Sequence, residues 1–163
     1  MSSSLKTAFY PGSFDPITNG HIDIMRRGLN VFDRVIVGLA QNISKQAFFT
    51  LEERIELIET VFANDSRVSV IRFDGLMVNA AVAVDAQAVM RGLRSVADFE
   101  YELQLATMNK KLVPTLETVF LMTEGDTFHV SSKLVREVAS LGGSVSDLVP
   151  PAVQGALLAK LSG

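Results

Sequence analysis

Apolar residues along this chain follow two rhythms. Short runs at 5–10, 34–39, 67–73, 86–90 and 117–122 read as strands, and the unbroken apolarity of 34–39 is that of a strand covered on both faces. Between them apolar positions recur at helical spacing. Ile22, Met25, Leu29 and Phe32 predict a helix over 20–32, and Leu51, Ile55, Ile58 and Phe62 predict the next one, opened by a capping box of Thr50 and Glu53. Further helices are expected over 75–84, over 96–112 with a stop at Pro114, from Ser131 or Ser132 to about Leu141 ahead of Gly142-Gly143, and over 151–161. The 96–112 segment carries two apolar stripes, Phe99–Leu103–Ala106 and Tyr101–Leu105–Met108–Leu112. A helix lying on a sheet needs one, so two predict burial on two sides and a homo-oligomer.

Strand and helix alternate five times. The pattern predicts an α/β fold: a single domain over 1–163, Rossmann-like and doubly wound, with a five-stranded parallel sheet and helices on both faces. Ligands then bind at the carboxyl ends of the strands, near the topological switch point.

Composition narrows the class. With 48 % hydrophobic and 20 % charged residues over 163 positions, the chain supports a folded core. A net charge of -3 without a basic block argues against nucleic acid as a partner. The absence of cysteine removes disulfides, thiolate metal sites and cysteine nucleophiles, and fits a cytoplasmic location. No apolar run approaches the roughly 18 residues of a membrane span, and no signal-peptide core precedes the first strand. Repeats, low-complexity tracts and linkers are absent.

The chemistry-bearing residues fall at the expected strand ends. After the first strand comes Pro11-Gly12-Ser13-Phe14-Asp15-Pro16-Ile17-Thr18-Asn19-Gly20-His21, where two prolines and two glycines force a shaped loop. Gly20 clears the helix entrance, and His21 sits in the first turn, where free N–H groups and the helix dipole favour an anion. The loop is neither a Walker A nor a G-x-G-x-x-G motif. The second strand delivers Lys45, the third Gly75-Leu76-Met77, the fourth Arg91 and Arg94 with Glu102 on the next helix, and the fifth the segment from Thr127 to Ser132. Each has an ordinary alternative: a capping histidine, a solvated lysine, a core methionine, arginines paired with Glu100 and Glu102. A histidine, a lysine and two arginines at strand ends facing one crevice together point to a polyphosphate ligand. His129 receives no chemical role from its own surroundings.

The loop from Pro11 to His21 resembles the T/H-x-G-H motif of the nucleotidylyltransferase superfamily, and its full length is similar to that of the bacterial phosphopantetheine adenylyltransferase family. The likeness extends to Arg91-Gly92-Leu93-Arg94 with Asp98-Phe99-Glu100-Tyr101-Glu102, to Asn109-Lys110, to Val119-Phe120-Leu121-Met122 and to Ser131-Ser132 with Leu134-Val135, Glu137 and Val138-Ala139. It covers about residues 6–160.

The resemblance implies transfer of the adenylyl group of ATP to 4'-phosphopantetheine, giving dephospho-coenzyme A and pyrophosphate. His21, Lys45 and Arg94 match the catalytic positions. Ser13, Phe14, His21, Gly92, Leu93, Arg94 and Glu102 match ATP-binding positions, as does the segment Thr127, Phe128, His129, Val130, Ser131, Ser132 and Lys133. There the family usually ends in three serines, and Lys133 replaces the third. Ser13, Lys45, Met77 and Arg91 match positions that bind 4'-phosphopantetheine. Magnesium is implied as a passenger on the ATP phosphates, with no dedicated protein metal site, and the assembly implied is a homohexamer. Two other readings stay open: another nucleotidylyltransferase, acting on nicotinamide mononucleotide or transferring a cytidylyl group, and a nucleotide-binding regulator without turnover. Pyrophosphate release with a panel of acceptor phosphates separates them.

Overall fold

The computed structural model describes residues 5–41, 46–124 and 130–163. Five strands, β1 (Thr7–Pro11), β2 (Arg34–Ala40), β3 (Val68–Phe73), β4 (Ala88–Leu93) and β5 (Glu117–Met122), form one sheet of order β3-β2-β1-β4-β5. All neighbours pair in parallel, with Phe9 of β1 opposite Ile36 of β2 on one side and Val89 of β4 on the other. The chain runs outward from β1 to β3, then returns to the other flank of β1 as β4. The β1/β4 boundary is therefore the switch point, and both strands end there in polar loops.

Among the described residues six helices accompany the strands: α1 (Asn19–Gly28), α2 (Leu51–Val61), α3 (Met77–Ala83), α4 (Val96–Leu112), α5 (Ser132–Ser140) and α6 (Pro151–Ser162). Because strand side chains alternate between faces, β1 serves two cores. Ala8 and Tyr10 join Ile24 and Met25 of α1, Ile58 of α2, Val135 of α5 and Leu157 of α6. Phe9 turns to the opposite face, where Val78 and Ala81 of α3 meet Ile36, Val89 and Leu116. The expected α/β architecture with helices on both faces is what the chain adopts. At Gly38 a Cβ would lie 2.1 Å from the Phe9 ring, so glycine leaves the room that ring occupies.

Several boundaries differ from those the periodicity predicts. α1 stops at Gly28 and not at residue 32. Leu29 and Phe32 stay buried because hydrogen-bonded turns, including Phe32 N–H to the Gly28 carbonyl, continue the apolar face after the helix ends. α3 starts at Met77, because Gly75 takes a φ of 80° and Leu76 is extended. β4 runs on to Leu93, paired with β5 as far as Met122, which places Arg91 and Gly92 inside a strand. The capping box of Thr50 and Glu53 is present, and Lys160 of α6 reaches the same Glu53 carboxylate.

Candidate active site

The loop between β1 and α1 is built by its own polar groups. Thr18 is the N-cap of α1, and its side chain accepts from the His21 N–H at 3.4 Å. In return the Thr18 N–H donates to His21 Nδ1 at 3.1 Å. This is a capping box in which histidine replaces the usual glutamate. A backbone amide can only donate, so Nδ1 is the acceptor and the ring proton sits on Nε2. Desolvation, then the charges of Arg94 and Arg91, push the His21 pKa down from 6.5 to about 4. At neutral pH the ring is therefore an uncharged Nε2–H donor. The capping histidine thus also borders the crevice.

On β4, Arg91 forms a fork with Glu102 of α4: Nε to Oε2 at 2.8 Å and Nη2 to Oε1 at 2.6 Å. Nη1 donates to the Pro11 carbonyl at 3.0 Å. Burial opposes the Arg91 charge, but the hydrogen bonds and charge of Glu102 outweigh it and hold the guanidinium pKa above its ordinary value. Three of five N–H groups are used, which leaves two for a ligand. Arg94 donates from Nε to Asp98 at 3.2 Å, so its two terminal nitrogens stay available. The Tyr10 phenol lies beneath these arginines; burial raises its pKa, so it stays protonated.

These groups line one crevice of about 400 Å³ at the switch point. Ser13, Phe14, His21, Arg91, Gly92, Arg94, Glu102, Val130, Ser131, Ser132 and Lys133 all border it. Ser131 is the N-cap of α5, with its hydroxyl accepting from the Leu134 N–H, so the N-terminus of α5, where helix amides lack intrahelical partners, borders the crevice. Ser132 Oγ donates to the Pro16 carbonyl at 2.7 Å, fastening α5 to the β1 loop.

Met77 lies elsewhere, in an adjoining pocket of about 240 Å³ with Phe73, Leu105 and Asn109. Pro11, Gly12, Arg91 and Glu102 border both cavities, so Arg91 stands at their junction. Leu93 borders neither; its side chain is buried and its carbonyl accepts from Thr123. Lys45, Thr127, Phe128 and His129 lie outside the described residues. Thr18 and Asp98, quoted above only as parts of motifs, border the crevice, as do Thr123 and Arg136, which the sequence did not single out. Arg136 was legible in principle, since four residues after Ser132 on a helix is the same face.

Comparison with known proteins places this geometry in a lineage. A family profile described as cytidylyltransferase-like matches residues 9–138. A phosphopantetheine adenylyltransferase of Anaeromyxobacter dehalogenans (strain 2CP-C) is 57% identical over 156 residues, 96% of this chain and 95% of that protein. One from Moorella thermoacetica is 53% identical over 154 residues, covering 94% of this chain and 96% of its own length. Among solved structures, a Vibrio parahaemolyticus protein assigned as a nicotinate-nucleotide adenylyltransferase superposes with a TM-score of 0.67 at 16% identity, over 94% of this chain and 99% of that one. A lipopolysaccharide core biosynthesis protein from Thermoplasma volcanium gives 0.56 at 21% identity, over 74% and 99%. These two share the fold.

Proposed function

The chain belongs to the phosphopantetheine adenylyltransferases of the cytidylyltransferase-like family, and from that premise we propose how its residues carry the reaction. It is a nucleotidyltransferase that moves the adenylyl group of ATP to 4'-phosphopantetheine, releasing pyrophosphate and forming dephospho-coenzyme A. The attacking group is a phosphate monoester, already ionised at neutral pH, so the site needs no strong general base. Catalysis is positioning and charge stabilisation around in-line displacement at the α-phosphorus.

In this reading the uncharged His21 donates from Nε2 to the α-phosphate oxygen as charge develops there. The two free N–H groups of Arg91 hold the acceptor phosphate at the junction of the cavities, Lys45 and Ser13 share its binding, and the Met77 pocket takes the pantetheine arm. Arg94 and the first turn of α5 at Ser131, Ser132 and Lys133 hold the leaving pyrophosphate. Phe14, Gly92, Glu102 and the loop from Thr127 to Val130 bind the remainder of ATP. Magnesium arrives on the nucleotide; among the described residues no group of three or more histidines and carboxylates is placed to hold it. When bound, it neutralises charge on the phosphate oxygens. One domain carrying the whole site, assembly as a homohexamer through α4 and a cytoplasmic location complete the proposal.

The observation that carries this reading is the convergence of the His21 Nε2–H, Arg91, Arg94 and the N-terminus of α5 on one crevice at the switch point. Pyrophosphate release with 4'-phosphopantetheine, nicotinamide mononucleotide and choline phosphate as acceptors tests it. The expected result is turnover with the first alone; preference for another acceptor overturns it. Direct titration of Lys45→Ala should show weakened acceptor binding with ATP spared; equal loss for both refutes its place beside the acceptor.

A further inference from the structure

We infer that Arg54, a residue of α2 outside the ligand crevice, is a positioning residue for the transfer: it turns the Ser13–Phe14 peptide so that the Phe14 N–H faces the bound nucleotide. Arg54 is 8% exposed. Its Nη1 donates to the Ser13 carbonyl at 2.9 Å and its Nε to the Thr50 carbonyl at 3.2 Å. Among the described residues no carboxylate forms an ion pair with it. Burying a guanidinium without a carboxylate works against stability, so packing alone does not account for an arginine here.

The consequence lies in the peptide plane. In a trans peptide the carbonyl and the following N–H point in opposite directions. With the Ser13 oxygen drawn toward α2, the Phe14 N–H is turned away from α2, and Phe14 itself borders the crevice. That N–H has no acceptor among the described residues. Phe14 also holds a φ of 45°, a left-handed conformation that residues with a side chain avoid unless their surroundings impose it. The surroundings here are a clasp. Asp15 accepts from the Phe48 and Phe49 amides at 2.8 Å each, just ahead of α2, while Arg136 donates to the Asp15 carbonyl from α5. Arg54 is the member that fixes the peptide facing the ligand, and its uncompensated charge adds to the pull on an anion.

The inference rests on the adenylyl-transfer reading, so wild-type pyrophosphate release is measured first, and ATP titration reads Arg54 independently of turnover. Arg54→Met should lower kcat by ~10²-fold, the lower end for loss of one preorganised donor, and weaken ATP by about tenfold. Arg54→Lys, which keeps the charge but not the two-carbonyl fork, should regain melting temperature while kcat stays at or below about a tenth of wild type. The Phe14 amide proton should move downfield on ATP addition in wild type and not in Arg54→Lys. A folded Arg54→Lys with kcat and ATP affinity within about twofold of wild type overturns the inference, even with a lowered melting temperature. If Arg54→Met fails to fold, the lysine variant decides alone. Absence of wild-type turnover with every acceptor would instead sink the adenylyl-transfer reading.

Discussion

The helices α1 and α4 both begin at the switch point and both supply the site, yet they use their apolar residues in opposite ways. α1 buries Ile22, Ile24, Met25 and Gly28 against the sheet and leaves only polar residues outward. α4 is longer, 17 residues, and buries only Glu102, the partner of Arg91. Its apolar side chains face out: Val96 is 88% exposed, Tyr101 63% and Met108 54%. One helix is a support whose pattern the chain's own core explains. The other presents a charged group inward and an apolar face that no part of the described chain covers. A single apolar stripe thus marks packing on the sheet, whereas the two stripes on α4 stay largely uncovered among the described residues.

The strongest way to break this comparison is at the end of α1. His21→Ala should reduce kcat by roughly 10²–10³-fold, about 3–4 kcal/mol, with ATP affinity within a few-fold of wild type. Because His21 also closes the capping box, the same change should remove about 1 kcal/mol of stability. His21→Gln, which can cap, should restore the melting temperature without restoring turnover. A fully active His21→Ala enzyme would remove the ring from the mechanism.

Next in size is the contrast between buried and exposed apolar positions. Ile24→Ala on α1 should destabilise the chain by about 2–4 kcal/mol in urea unfolding.

The pH dependence of stability is smaller. The folded His21 pKa of about 4 lies below its ordinary 6.5, so the unfolded chain takes up a proton first as pH falls. The contribution is complete above pH 6.5 and is lost on the way down to about 4. Wild type should therefore lose more melting temperature over that interval than His21→Gln; parallel curves, or an imidazolium seen by NMR at pH 6, would contradict the neutral ring.

Smallest is Tyr101→Gln. It should change stability by no more than about 0.5 kcal/mol if α4 is covered by nothing in its own chain. The same substitution should shift light-scattering mass downward if another copy covers that face; a wild-type mass of 17.7 kDa at micromolar concentration would rule out self-association.

What the sequence determined by itself is local. The strand and helix alternation, the capping box at Thr50, the shaped loop before His21 and the span of α4 depend on residues within a few positions of one another, where propensity, periodicity and turn chemistry act directly. The strand-end rule then named most of the crevice. Tertiary structure decided the partners and the charge states. The Arg91 fork to Glu102 spans 11 positions, the Arg54 bond to Ser13 spans 41 and the Ser132 bond to Pro16 spans 116. The neutrality of His21 depends first on its burial and then on where Arg94 and Arg91 come to rest. Coulomb and hydrogen-bond energies depend on distance in space, and only the sheet order β3-β2-β1-β4-β5, by placing β4 beside β1, brings those arginines within reach of the imidazole.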